Sequence, residues 1–221
     1  MKENESLILR TVKLSAKISN FFLPFTSEIL TNILLRENFI LPDRKYFEFQ
    51  PVEAVPIAEK NSALVQFNES SRLITLTSSV EADEARVKQI FRPMLNSISK
   101  FVGKAKLKFQ FYEFDISGIK PSKKNPLHVF AQENNKSEKL KELNQIFGKG
   151  VSPFGLRLFP SNHIIDSTDW FEYNIQPFIY VPESIYQIRI VYRNKNLNKV
   201  VDTLGEIRTV TDKIIKLLET D

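Results

Sequence analysis

Cysteine is absent from the 221 residues, which excludes disulfides, thiolate zinc sites and a cysteine nucleophile together. Histidine occurs only twice, at His128 and His163, so metal centres and acid–base triads have few residues to draw on. Glycine-rich phosphate loops are missing as well. Gly148-Lys149-Gly150 lacks the length and the following Ser or Thr of a P-loop. No apolar run approaches the ~18 residues that span a bilayer. The opening MKENESLILR places Glu3 and Glu5 before its short apolar run, unlike a secretory leader. These absences predict a soluble, cytoplasmic chain that is not an enzyme, with no cofactor and no membrane partner.

What is present is an ordinary globular composition. Hydrophobic residues make up 42% and charged residues 26%, enough apolar material for the whole chain to fold. Eighteen Phe stand against one Trp, which suits a packed interior better than a sugar-binding surface. The formal charge of +5 permits an anionic partner without requiring one.

Along the chain, 7–18 reads as a strand, with Leu7, Leu9 and Thr11 on one side and Ile8 and Val12 on the other. Ile29, Leu30, Ile33 and Leu34 predict a helix over 27–37. A short strand is expected at 45–50, then an edge or loop at 52–56 between two prolines. The runs 63–67 and 72–77 form a hairpin around Asn68-Glu69-Ser70-Ser71. A long helix over 82–102 carries Val87, Phe91, Leu95, Ile98 and Val102, with a kink expected at Pro93.

A similar order follows. The run 107–116 is a strand, 120–135 a polar, mobile loop, and 137–147 a helix with Leu140, Leu143 and Phe147 inward. Strands are expected at 154–159, 170–181 and 185–193, then a closing helix over 197–218 with Val200, Leu204, Ile207, Ile214 and Leu218 on one face. Ser27-Glu28-x-Leu30 parallels Ser137-Glu138-x-Leu140, and Glu69-Ser70 parallels Glu183-Ser184. The fold expected is therefore α+β, a tandem duplication of a β-α-β-β-β-α unit. The halves are 1–103 and 104–221, joined in one antiparallel sheet with two long helices covering one face.

Functional expectations rest on the other face. Alternation puts Tyr186, Ile188, Ile190 and Tyr192 inward and Gln187, Arg189, Val191 and Arg193 outward. Ile74 and Leu76 go inward while Leu73, Thr75 and Thr77 go outward. Leu107, Phe109 and Phe111 go inward, leaving Lys106, Lys108 and Gln110 outside. Such a surface offers cations to phosphates and amides to base edges or peptide groups, or is the ordinary solvated side of a sheet.

The stretch Ala63-Leu64-Val65-Gln66-Phe67, a polar turn, Leu73-Ile74-Thr75-Leu76-Thr77 and the acidic helix start at Glu81 resembles the TATA-box-binding-protein fold. In that family a duplicated saddle grips the DNA minor groove. The resemblance implies DNA-facing roles for Thr75, Thr77, Arg189, Val191 and Arg193, and rim wedges for which Phe67 and Phe178 are nearest. The 120–135 loop and the insertion at 162–168 depart from that pattern.

Three further groupings stand out. His163, Asp166 and Asp169 have a spacing that can hold a metal, though turn and cap roles account for it and no metal site is expected. Glu113 and Asp115 stand two apart on a strand, which permits paired-carboxylate chemistry on one face, but the adjacent Tyr112, Phe114 and Ile116 make a face switch or bulge the more economical account. Lys120, Lys123, Lys124, Lys136, Lys139 and Lys141 form a basic run interleaved with Glu138 and Glu142. The expected function is a non-catalytic binding protein working through the open sheet face on nucleic acid, DNA first. The alternative is a protein-interaction or self-assembling subunit. The residues expected to make contact are Thr75, Thr77, Lys106, Lys108, Gln187, Arg189, Val191 and Arg193.

Overall fold

A computed structural model describes residues 6–20, 25–43, 54–79, 83–102, 107–134, 138–161, 164 and 167–220. The strands are β1 (Ile8–Ile18), β2 (Val55–Lys60), β3 (Ala63–Asn68), β4 (Leu73–Ser78), β5 (Phe109–Pro121), β6 (Leu156–Leu158), β7 (Trp170–Pro177) and β8 (Ile185–Asn194). The helices among the described residues are α1 (Ser27–Leu35), α2 (Glu84–Val102), α3 (Pro126–Asn134), α4 (Glu138–Phe147) and α5 (Leu197–Leu218). The fold is α+β, and every strand pairing among the described residues is antiparallel.

The eight strands among the described residues form one sheet, ordered β2-β3-β4-β1-β5-β8-β7-β6. Its centre is the long β1–β5 ladder, which runs from Ile8↔Ile119 to Ile18↔Phe109. β1 carries Ile8, Thr11, Val12 and Ile18, and β5 carries Phe109, Phe111, Tyr112, Phe114, Ile116 and Ile119, residue types that suit a half-buried pleated surface.

Local chemistry explains several boundaries. Thr26 caps α1 by accepting from the Ile29 amide at 3.3 Å. Glu69, in the β3–β4 turn, accepts from the Ser27 amide at 2.7 Å; that backbone hydrogen bond holds its carboxyl below the usual range. β2 and β3 are joined by Asn61-Ser62, with φ of 50° and 60°. Two successive left-handed residues are what a tight two-residue hairpin requires. Asn196 caps α5, its side chain accepting from the Asn198 amide at 2.9 Å.

One buried cluster unites the strands and the long helices. Val12, Leu14, Ile74, Leu76, Phe114, Ile116, Ile188 and Ile190 share it with Val87, Phe91, Leu95 and Ile98 of α2 and Val200, Leu204 and Ile207 of α5. Fully burying a side chain of this size stabilises the fold by about 1.5–3 kcal/mol. α2 and α5 touch each other; α2 also touches β1 and β4, and α5 touches β5 and β8. Arg208 of α5 spans the pair, its guanidinium joined to Glu84 of α2 at 2.9 and 3.1 Å and also donating to the Leu7 carbonyl.

Several expectations need correction. The strand before the hairpin is β2, with Pro56 inside it at the edge of the sheet; the expected 45–50 strand lies outside the described residues. The stretch expected as a mobile loop is instead the end of β5 followed by α3. Asn125 starts that helix by accepting from the Leu127 amide at 3.0 Å, and Pro126 occupies a first-turn position where no amide proton is needed. Val129 and Phe130 bury its inner side. In α4, Leu143 and Phe147 are exposed rather than inward. On α5, Thr211 and Ile215 are buried, while Ile214 and Leu218 are partly buried against the core.

Two irregularities shift strand faces. Between Leu9 and Thr11 the β1–β5 register slips, so Leu9 and Val12 are both buried although they differ in parity. Between Ile18↔Phe109 and Lys17↔Phe111 it slips again. Phe109 packs on the core while Phe111 turns to the opposite face, contrary to expectation; an extra residue in one strand has this effect.

Candidate functional site

The side chains that alternate with the core set form a second, polar face of the sheet. On it β1 places Lys13 and Ser15 beside Thr77 and Thr75 of β4 and beside Asp115 and Glu113 of β5. β8 continues the surface with Gln187, Arg189, Val191 and Arg193, and β7 with Glu172, Asn174 and Gln176. The outward set expected for β8 is the set observed.

Both expected arginines are already engaged. Arg189 donates from Nε and Nη2 to the two carboxylate oxygens of Asp115 at 3.1 and 2.9 Å. Arg193 meets Glu113 at 2.7 Å, stacks over the Phe111 ring with 4.3 Å to its centroid, and donates to the Ser167 carbonyl at 3.4 Å. A third pair, missed in the sequence, repeats the pattern: Arg157 of β6 grips Glu172 of β7 through two hydrogen bonds of 3.0 Å. Planar bidentate pairing is the strong geometry for guanidinium and carboxylate. Each pair links neighbouring strands and cancels a cation with an anion.

Burial differs along this row. The Glu113 carboxyl is raised above the usual range, first by burial, with Arg193 pulling the other way. Hydrogen bonding to Asp115 raises Arg189 further above its ordinary value. Arg189 is the most open member of the β5–β8 pairs, its side chain 55% exposed against 20% for Arg193. Between β1, β5 and β8 lies a depression of about 210 Å³ lined by Thr11, Lys13, Asp115, Ser117 and Arg189.

The remaining expected residues divide. Thr75 shares a 2.9 Å hydrogen bond with Ser15. The Thr77 hydroxyl is shut off from solvent with no partner among the described residues. Its neighbour Leu64, paired to it across the strands, is buried, and so is Pro56, so the β2–β3 end of this face is closed. Gln187 accepts from the Gln176 side chain at 3.3 Å. Val191, partly buried, sits between Glu172 and Asp115 in register. Lys108 is exposed just before β5, where its carbonyl accepts from the Ser19 hydroxyl at 3.0 Å. Lys106 lies outside the described residues.

The other groupings resolve as follows. Phe67 is fully buried, the core fate rather than a wedge. Phe178 lies under the Arg10 guanidinium at 5.2 Å. Lys120 is a buried residue paired with Asp212 of α5 at 2.8 Å, and so departs from the expected surface run. Lys136 is not among the described residues, nor is the side chain of Lys139. His163 and Asp166 also lie outside them, while Asp169 accepts from the Asn194 amide group at 3.1 Å. Among the described residues no three His, Cys, Asp or Glu side chains gather to hold a metal, and no helix is long and apolar enough to cross a membrane.

The bulge or face switch expected around Glu113 and Asp115 is absent, since the β5–β8 register runs unbroken from Tyr112 to Pro121, so the two carboxylates share the polar face. Arg157 and Glu172 each sit in an alternating run. Pairing them needs the cross-strand register, which the sequence does not state. No protein-family model matches the chain, and no curated protein matches it.

Proposed function

We propose that this chain is a non-catalytic docking module whose polar sheet face receives another protein. In this reading α2 and α5 lie together over the core face. The two halves, 1–103 and 104–221, descend from one duplicated unit and meet at β1–β5. The symmetric strand order supports that origin, with β1 and β5 at the centre and three further strands on either side. The polar face then remains as a platform, with Thr75, Gln187, Arg189, Val191 and Arg193 on it and Lys108 at its margin.

One observation carries the choice of partner. Arg157, Arg189 and Arg193 are each matched by Glu172, Asp115 and Glu113. A phosphate backbone rewards uncompensated cations, because its binding energy comes largely from neutralised charge and released counterions. A face of alternating guanidinium and carboxylate instead suits a protein surface that offers both signs and amides.

A second reading, nucleic-acid binding, keeps support from the +5 formal charge, from the exposed Lys13 and from the resemblance to the TATA-box-binding-protein fold. A photo-crosslinking residue at Val191, compared with one at exposed Lys199 on α5, separates the two. The protein reading expects one recurrent protein adduct from position 191 and none from 199. Equal labelling from both positions, or nucleic acid recovered from 191, counts against it.

A further inference from the structure

Given the docking role proposed above, on which this rests, we infer that a depression at the centre of the polar face receives one carboxylate. The group is an Asp or Glu side chain of the docked protein.

The depression, of about 210 Å³, is lined by Thr11 and Lys13 of β1, Asp115 and Ser117 of β5, and Arg189 of β8. Strand register builds it. Thr11 lies opposite Ser117 and Lys13 opposite Asp115 across β1–β5, while Ser117 lies opposite Arg189 across β5–β8. From there Arg189 reaches diagonally to Asp115, engaging both carboxylate oxygens through Nε and Nη2. A guanidinium has five N–H donors, so Arg189 keeps its Nη1 edge for a further acceptor.

Lys13 differs from the arginines of this face. It is exposed, and the carboxylate opposite it, Asp115, is held by Arg189. Lys13 itself has no ion pair or hydrogen bond among the described residues. The nearby acids are matched, Glu113 by Arg193 and Glu172 by Arg157. Lys17, further along β1, donates to the Ser71 carbonyl. Two cations and one carboxylate therefore line the depression. One positive charge is left over, flanked by the hydroxyls of Thr11 and Ser117.

Size and charge select the ligand. Pockets that enclose a whole small molecule run to about 300–1,000 Å³; this one is smaller and takes a single end group. A phosphate monoester carries about two negative charges at neutral pH, and here it would face Asp115 with one net positive charge to answer it. A phosphodiester chain brings further charges over Glu113 and Glu172, whose arginines are already engaged. A neutral amide leaves Lys13 uncompensated. A carboxylate carries one charge, and its two oxygens accept from Lys13 and from a hydroxyl or the Nη1 edge of Arg189.

Amide NMR spectra of the full chain, titrated with N-acetyl-glutamate amide, N-acetyl-glutamine amide or inorganic phosphate, test the assignment. Blocked glutamate is expected to give saturable shifts at Thr11, Lys13, Ser117 and Arg189, and blocked glutamine none. Lys13→Gln weakens the binding by about two- to fivefold, the range of an exposed ion pair. Lys13→Arg restores it, and Asp115→Asn strengthens it. A structural role for either side chain does not give these opposite signs. The photo-crosslinking residue at position 191 reads the same place with the partner present, two strand spacings or about 10 Å from Lys13. There Lys13→Gln lowers the yield of the protein adduct and Lys13→Arg preserves it. An adduct formed equally by wild type and Lys13→Gln overturns the inference and leaves the docking role standing. No adduct from wild type removes the docking role and, with it, the side chain assigned to the depression. The assignment also falls if blocked glutamate gives no saturable shifts, if Lys13→Gln leaves them unchanged, or if phosphate produces them at lower concentration.

Discussion

Arg189 and Asp115 meet across the β5–β8 ladder with guanidinium and carboxylate in parallel, at 3.1 and 2.9 Å. The pair lies on an open surface, so its value to stability is small, about 0–1 kcal/mol. Its larger effect is on the field of the face. Asp115→Asn is expected to leave the melting temperature within a few degrees of wild type, read by circular dichroism, and to make the polar face more positive. A large loss of stability would show instead that the pair is structural.

The Arg208–Glu84 bridge between α5 and α2 has the opposite character. Glu84 is held below the usual carboxylate range, chiefly by its hydrogen bond from Arg208. A lowered folded-state value means that the contribution is present above the ordinary carboxylate range and lost as pH falls through it. Glu84→Gln should cost about 1–2 kcal/mol at neutral pH, between an exposed and a buried pair. In urea titrations the difference from wild type should shrink as the solution is acidified.

Glu113 works with reversed sign. Burial raises its carboxyl, so folding favours the protonated form, and its contribution declines as pH rises from the ordinary carboxylate range through the folded value. Relative to wild type, Glu113→Gln should therefore fare better at pH values above that window than below it. Parallel urea titrations of Glu84→Gln and Glu113→Gln should diverge in opposite directions with pH.

Gly118 permits the β1 bulge. A Cβ there would lie 2.6 Å from the Ile8 carbonyl oxygen and 3.0 Å from the Leu7 side chain. The nearer contact is backbone, which cannot swing aside. Gly118→Ala should cost about 1–3 kcal/mol through overpacking, and the amides of residues 7–11 should lose hydrogen-exchange protection.

The two phenylalanines Phe67 and Phe111 separate core from surface. Phe67 is fully buried, so Phe67→Ala should destabilise by about 3–5 kcal/mol. Phe111 rests under Arg193 on the polar face, where a cation–ring contact is worth about 0.5–2 kcal/mol. Phe111→Ala should cost no more than that in chemical denaturation. Equal losses at both positions would contradict the face assignment.

Much of the sheet is legible from alternation. In β8 the inward and outward sets follow the period of two without interruption, and in β4 Ile74 and Leu76 fall to the core as expected. The failures have identifiable causes. Alternation alone sends Phe111 to the core, because the slip at Gln110 is a property of the β1–β5 pairing, not of the β5 sequence. α3 resembles a loop in sequence because Pro126 and the lysines before it mask a helix start that Asn125 supplies. β2 reads in the sequence only as an edge or loop at 52–56, because Pro51 and Pro56 argue against an inner strand, and the strand does lie at the sheet edge, where Pro56 is tolerated. The arginine–carboxylate pairs of the polar face join residues from 15 to 80 positions apart, and only the register brings them together.

The most direct measurement of the central claim, that the polar face carries internally compensated arginines, is fluorescence anisotropy with duplex DNA across a salt series. Wild type should show weak binding with a shallow salt slope. A variant combining Glu113→Gln, Asp115→Asn and Glu172→Gln, which removes the carboxylates facing three guanidinium groups, should gain affinity and steepen the slope by up to about 3. Tight, steeply salt-dependent binding by wild type that these substitutions leave unchanged would contradict the account.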